Sequence, residues 1–420
     1  MKFNRLTTWI FFALILGIAV GYICNLTAAD AAHAKNIASY FSVVADIFLR
    51  MVKMIIAPLV FATLVTGIAS VGDGKAVGRI GAKALGWFVT ASFISLLLGM
   101  IWGHLLHPGL SMHLPLPEGG AATNLQSGSL NFKTFIVNIF PKSIIEAMSA
   151  NEILQIVVFS LFFGLALNAC SGKAKEAIVD IARGLVEAMI KVTDYVMLAA
   201  PIGVFSAVAA AITVQGLTVL STYAALISSF YIGLASLWLV LIAAGYLFLK
   251  KRVFRLLSLI MEPTMIAFST TSSEAAYPKT LEQLDKFGVK QEVSGFVLPM
   301  GYAFNLDGSM MYQSFAMIFI IHAYGITMSL ATQFTMLLVL MVSSKGMAGV
   351  SRASLVVVAA TLPLFGLPES ALLMIMGIDV FLDMGRTATN VIGNSLAAAV
   401  VAKWEGKLGE EKLFHQVEQI

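Results

Sequence analysis

GIDVFLDMGRTATNVIGNSLAAAVVAKW, residues 377–404, is apolar enough to cross a membrane, yet before Ser395 it carries two aspartates, an arginine and two asparagines. A bilayer core about 30 Å thick is spanned by about 20 helical residues. Charges at that depth are costly and face a protein interior or a water path. At about 100° per residue, Asp379, Asp383, Arg386, Thr387, Asn390 and Asn394 project at roughly 0, 40, −20, 80, 20 and 60°, an arc of about 100°. The segment therefore reads as a helix with one polar stripe. An ion pair between Asp383 and Arg386 at i and i+3 would account for two of these groups and leave the amides and the hydroxyl unexplained. A ligand site accounts for all of them.

The residue types say what the ligand is. A guanidinium suits bidentate recognition of a carboxylate, and a nearby carboxylate suits an ammonium. Arg386 would take a side-chain carboxylate, Asp383 an α-amino group and Asn390 an α-carboxylate. A dicarboxylate without an amino group would leave Asp383 unpaired and repelled. The stripe thus favours glutamate or aspartate over succinate.

Composition places this helix in a polytopic all-α membrane protein. Of 420 residues, 59% are hydrophobic and 12% charged, against roughly 25% charged in a soluble domain; the mean hydropathy is +0.88. Apolar stretches run over 8–29, 40–72, 84–106, 153–169, 194–214, 218–249, 293–321, 331–343 and 369–402. The run after Trp9 lacks a small-residue cleavage site, so it is expected as a first helix rather than a signal peptide. Basic clusters at Lys2/Arg5, Lys75/Arg79/Lys83, Lys250/Lys251/Arg252/Arg255 and Lys279/Lys286/Lys290 mark cytoplasmic loops. The Pro- and Gly-rich loop 107–130 has Glu118 as its only formal charge and is expected outside. A net charge of +4 then reflects topology, not nucleic-acid binding.

Beyond Arg255 the apolar runs are interrupted by STTSSEAAYP (269–278), GYAFNLDGS (301–309) and SSKGMAGVS (343–351). Irregular backbone at membrane depth survives only inside protein or along a cavity, and paired interruptions point to a transporter's binding site. The first and third breaks are expected at the tips of two re-entrant hairpins meeting head to head. The middle one holds Asn305 and Asp307 between Gly301 and Gly308. Freed carbonyls and a carboxylate there suit a hard cation; Asp307 capping a half-helix is compatible with that role. Glu274, beside a hairpin tip whose N–H groups favour anions, is a candidate proton carrier or a solvated turn residue. Cys24 and Cys170 suggest no disulfide framework or metal site. His107, His113 and His415 read as loop or terminal residues, and no enzyme motif is present.

RMVKMIIAPLVFATLV (50–65), APIGVFSAVA (200–209), TTSSEAAYPKT (270–280), NLDGSMMYQ (305–313), SSKGMAGVS (343–351) and LDMGRTATNVIGNSLAAAVVAKWEG (382–406) resemble the dicarboxylate/amino acid:cation symporters over essentially the whole chain. These are the bacterial relatives of the excitatory amino-acid transporters. The resemblance implies a homotrimer whose protomers have eight transmembrane helices, two re-entrant hairpins and inverted repeats, working as an elevator. It implies scaffold helices in 1–72 and 130–214, transport-domain elements in 79–107 and 218–404, and a cytoplasmic tail at 405–420. Both termini would be cytoplasmic, in a bacterial inner membrane.

By matching motif positions, the resemblance implies substrate contacts from Thr271, Ser273, Ser309, Ala348, Gly349, Asp383, Arg386, Thr387 and Asn390. It implies cation ligands at Thr90, Gly301, Asn305, Asp307 and Asn390. Dicarboxylate carriers of the family typically lack an Asp at 383 and neutral amino-acid carriers lack the Arg at 386, so a glutamate or aspartate symporter is implied. A carboxylate that completes one sodium site in strictly sodium-driven relatives is Asn394 here. A Ser of another site is Ala91, with Trp87 where a Tyr is usual. Loss of a formal charge weakens the hold on a bare cation, which points to protons, alone or with sodium. Gln313 replaces the proton-carrying Glu of the animal transporters, leaving Glu274, Asp307 or Asp379 to carry a proton. The alternatives are a C4-dicarboxylate symporter or a strictly sodium-coupled carrier of the same fold. No cofactor is implied beyond the coupling ions.

Overall fold

The computed structural model describes residues 5–71, 74–108, 137–170, 172–217, 223–344, 353–376 and 378–411. They are nearly all helical. The principal helices are α1 (Arg5–Thr27), α2 (Ala31–Val71), α3 (Gly74–Leu106), α4 (Ile153–Ala169), α5 (Lys173–Met197), α6 (Ala200–Gln215) and α7 (Ala224–Leu249). They are followed by α8 (Arg252–Thr270), α9 (Ser273–Phe287), α10 (Gln291–Phe304), α11 (Asp307–Ala323), α12 (Leu330–Ser343), α13 (Ala353–Thr361) and α14 (Asp379–Trp404). Among the described residues, five helices are long and apolar enough to cross a membrane, and a sixth if α5 and α6 are taken as one bent span.

Two boundaries differ from the sequence reading, each for a local reason. The apolar stretch 194–214 is broken by a 53° bend between α5 and α6. Pro201 stands in the first turn of α6, where it has no N–H to continue a helix from α5. The stretch 369–402 is not one helix either. Short helical turns at Glu369–Leu372 and Leu373–Met376 precede α14, which starts at Asp379. An acidic residue in a first turn complements the helix dipole.

α1, α2, α4, α5 and α6 pack chiefly on one another, α2 being the common neighbour. α14 is enclosed by α3, α7, α8, α9, α10 and α11, and its residues from Gly385 to Ala402 are buried throughout. A helix buried on every side can keep a polar stripe only if that stripe finds partners. α8 and α9 form a hairpin: Arg252 at one end donates to the Phe287 carbonyl at the other (3.0 Å), and the turn is Thr271–Ser272. Ala267 of α8, Ala276 of α9 and Val391 of α14 share a buried contact, which brings the tip half of the hairpin to the middle of α14. α12 and α13 also touch. The expected second tip, with Ala348 and Gly349, lies outside the described residues, as do His113, most of loop 107–130 and residues 412–420.

Residues 405–411, within the expected cytoplasmic tail, are bound across one end of this group. Glu405 accepts from Arg79 Nε and Nη2 (2.9 and 2.8 Å) and from Lys83 (2.6 Å). These cations hold its carboxyl below the usual carboxylate range, Arg79 contributing most. Val289 and Leu408 form an isolated antiparallel bridge, Gly409 N–H donates to the Gly288 carbonyl (2.9 Å), and Arg255 pairs with Glu411 (2.5 Å).

Candidate functional site

α7 fixes the rotation of α14. Tyr231 Oη donates to the Phe381 carbonyl (2.7 Å) and Trp238 Nε1 to Thr389 Oγ1 (2.7 Å). With those two points held, the stripe read from the sequence faces the α10–α11 junction.

Arg386 is 2% exposed and bridges both aspartates of its own helix. Its Nε donates to Asp383 Oδ1 (2.7 Å), while Nη1 and Nη2 donate to the two oxygens of Asp379 (2.8 and 3.4 Å). Thr387 Oγ1 donates to the same Asp383 oxygen (2.9 Å). The guanidinium carbon lies 4.4 Å from the Tyr312 ring centroid, a cation–π contact that orients its plane. The ion pair expected at i and i+3 is therefore one half of a three-residue unit. Asp383 remains 21% exposed while Asp379 is 2% exposed, so Asp383 is the carboxylate open to a ligand.

One turn on, α14 meets the break. The helix stops at Phe304 and restarts at Asp307, with Asn305 and Leu306 at ψ 64°. Asn390 Oδ1 accepts from the N–H groups of Gly308 (2.9 Å) and Ser309 (3.3 Å), and its Nδ2 donates to Ser309 Oγ (3.1 Å). These N–H groups begin α11 and have no carbonyl within the helix to bond. Gly308 is required here, because a Cβ would collide with the backbone of Arg386.

Below that lies a polar group buried to 1% or less. Asn305 Nδ2 donates to Asp307 Oδ2 (3.2 Å) and to Asn394 Oδ1 (3.1 Å). Among the described residues, Asn305 Oδ1 and Asn394 Nδ2 have no hydrogen-bond partner. A Cβ at Gly301 would strike the Asn394 amide, and one at Gly393 the Asp307 carboxylate, so α10, α11 and α14 are at closest approach around this group. Oxygen donors from three strands of chain in a tight buried space suit a cation that prefers oxygen ligands.

At the hairpin tip Thr271 caps α8 in the left-handed region (φ 51°), and Ser272 Oγ accepts from the Ala275 N–H (3.2 Å). Ser273 and Glu274 open α9, half-buried. Lys53 and Glu152 are charged neighbours of Glu274.

Thr90 is not brought to the site. It is exposed, and its hydroxyl donates to the Gly86 carbonyl (2.8 Å). The α3 hydroxyl that reaches the break is Ser92, fully buried and 3.4 Å from the Phe304 carbonyl. Ala91 is buried, and Trp87 meets Trp404 and Phe248 edge-to-face instead of entering the polar group. Ser92 and Tyr312 were missed by sequence reasoning. The six residues from Asp307 to Tyr312 put Tyr312 within the NLDGSMMYQ motif, but nothing in one chain's sequence shows which ring Arg386 would lie on.

With this geometry in place, comparison with known proteins is decisive. The family model described as "Sodium:dicarboxylate symporter family" matches residues 6–404. The chain belongs to the sodium:dicarboxylate symporter family. It is an integral membrane transporter and not an enzyme. Among relatives, it is 39% identical to the "Proton/sodium-glutamate symport protein" of Bacillus caldotenax, over 96% of this chain and 95% of the relative. It is 36% identical to the "Proton/glutamate-aspartate symporter" of Escherichia coli K12, over 98% and 95%. It is also 36% identical to the "C4-dicarboxylate transport protein" of Agrobacterium fabrum C58, over 96% and 88%.

Proposed function

We propose that this symporter imports acidic amino acids, L-glutamate or L-aspartate, together with protons and with sodium as a further coupling ion. The observation that carries this reading is the buried Arg386 beside the half-open Asp383 on one face of α14. Arg386 takes the side-chain carboxylate, Asp383 the ammonium, and Asn390, Thr387, Ser309 and the tip residues Thr271 and Ser273 the α-carboxylate. Ala348 and Gly349 belong to the second tip, the gate.

Electrostatics requires coupling. Asp379, Asp383 and Arg386 together carry one net negative charge, and an acidic amino acid brings another into a low-dielectric space where like charges repel strongly. A cation or proton travelling with the substrate offsets that repulsion. A dicarboxylate would bring two negative charges and no partner for Asp383, which is why the amino-acid reading is preferred although a C4-dicarboxylate carrier is among the relatives. Asn305, Asp307, Gly301, Asn390 and Asn394 are the proposed cation ligands, with Ser92 in place of Thr90. Glu274, Asp307 and Asp379 are the proposed proton carriers.

We place the protein in a bacterial plasma membrane as a homotrimer, with α1, α2, α4, α5 and α6 as scaffold and the α14-centred group as an elevator. Both termini are cytoplasmic. Calorimetric titration of the purified protein with L-glutamate, L-aspartate and succinate tests the substrate class. The amino acids bind and succinate does not; tight succinate binding would replace this reading with the dicarboxylate one.

A further inference from the structure

The Arg386 guanidinium has two edges that can clamp a carboxylate, and carboxylates of its own helix hold both. Asp379 spans Nη1 and Nη2, and Asp383 takes Nε. An incoming carboxylate has to displace one of them or share the cation with it. Asp383 has a second use, since it is the partner of the substrate's ammonium. Asp379 has none: it is buried at 1%, and among the described residues Arg386 is its only ion-pair partner.

The charges can be followed one by one. A seated acidic amino acid brings its two carboxylates to those of Asp379 and Asp383, opposite only Arg386 and the ammonium. Asp383 pairs with the ammonium, and the α-carboxylate meets neutral donors. The side-chain carboxylate and Asp379 then compete for Arg386, and one buried carboxylate is left in surplus. A buried carboxylate without its cation takes up a proton.

We infer that Asp379 is the group that binds the coupling proton, letting go of Arg386 as the substrate's side-chain carboxylate arrives. The proton comes from the side the substrate enters and leaves to the other side when Arg386 returns to Asp379. Asp379 is in this sense a positioning residue for Arg386, and the inference rests on the acidic amino-acid reading given above. The titratable groups around the pair are Asp383 and Arg386 on α14, Tyr312 on α11 and Tyr231 on α7. Tyr231 is committed to the Phe381 carbonyl. Tyr312 lies with its ring under the guanidinium and its hydroxyl beside Asp379.

The test is the affinity of the purified full-length protein for L-aspartate between pH 8 and 5.5, by calorimetry in buffers of different ionisation heat. Binding linked to one proton tightens about tenfold for each unit of pH lowered, and that is the result expected of the wild type. Asp379→Asn should bind aspartate with no pH dependence and no proton uptake, while Glu405→Gln, which lies outside the site, keeps both. Retention of the tenfold slope in Asp379→Asn would overturn the inference. Should that variant not fold, Asp379→Glu decides: a shifted pH midpoint supports the inference and an unmoved one contradicts it. Failure of the wild type to bind aspartate or glutamate at any pH is a different result, and it would remove the substrate reading instead.

Discussion

Asn390 on α14 accepts the backbone N–H of Ser309 on α11 and returns a hydrogen bond to the Ser309 hydroxyl. This reciprocal pair joins the proposed substrate face of α14 to the broken helix that carries the cation ligands. On the proposed roles, substrate and cation share a residue, which would be a physical route to coupling between them.

Asn390→Ala leaves the N–H groups of Gly308 and Ser309 without that acceptor, a loss of about 1–3 kcal/mol. Substrate affinity and cation affinity should fall together, each by roughly tenfold to a hundredfold. Calorimetry with either ligand held saturating checks this. A fall in one affinity with the other unchanged would show that Asn390 does not link them.

Asp383→Ser removes the partner of the ammonium and frees Nε of Arg386. Glutamate and aspartate affinity should drop by about 1.5–3 kcal/mol, roughly tenfold to a hundredfold. Succinate, which has no ammonium to lose, should bind better than before. Competition between labelled aspartate and succinate in the variant gives both numbers in one experiment; unchanged glutamate affinity would show that Asp383 does not hold the amine.

Asn394→Asp restores a formal charge beside Asn305 and Asp307. The amide pair that now closes this group becomes a site with one more anionic oxygen, and sodium should be held more tightly. Half-saturation by sodium is expected to fall at least about tenfold, the equivalent of 1.4 kcal/mol. Uptake measured across a sodium series at fixed pH reads it directly. No change would show that Asn394 does not face the cation.

Glu405 is held below its ordinary value of 4.5 by Arg79 and Lys83. A carboxyl whose folded value is lowered stabilises the fold fully above its unfolded value and loses that contribution as pH falls below it through the lowered folded value. At pH 7, Glu405→Gln should therefore melt slightly below wild type, by on the order of 1 °C given the small worth of exposed pairs. The gap should narrow as pH approaches 4. A gap independent of pH would mean that the strap is held by its backbone bonds instead.

The last helix was the most legible part of this chain. Six polar groups with helical spacing in an apolar segment imply a buried face, and all six face the α10–α11 junction or one another. The break at Asn305 was legible for the same reason, since Gly301 and Gly308 flank polar residues where a continuous helix was otherwise expected. The pairing of Asp379 was not legible, because spacing offers Arg386 one partner at i−3 and another at i−7, and only the folded side chain is seen to hold both. Ser92 was hidden for a different reason: its neighbour Thr90 fits the family pattern, and only the rotation of α3 shows which hydroxyl points inward. The strap at 405–411 carries charges of both signs and reads as a solvated tail until Arg79, Lys83 and Arg255 are found opposite it.

Uptake of labelled L-glutamate and L-aspartate into proteoliposomes, with a pH gradient and a sodium gradient imposed separately, tests the central claim most directly. Accumulation above the external concentration, driven by an inward proton gradient in sodium-free buffer, is the result predicted. Sodium-driven accumulation that ignores the pH gradient, or transport of succinate but of neither amino acid, would contradict it.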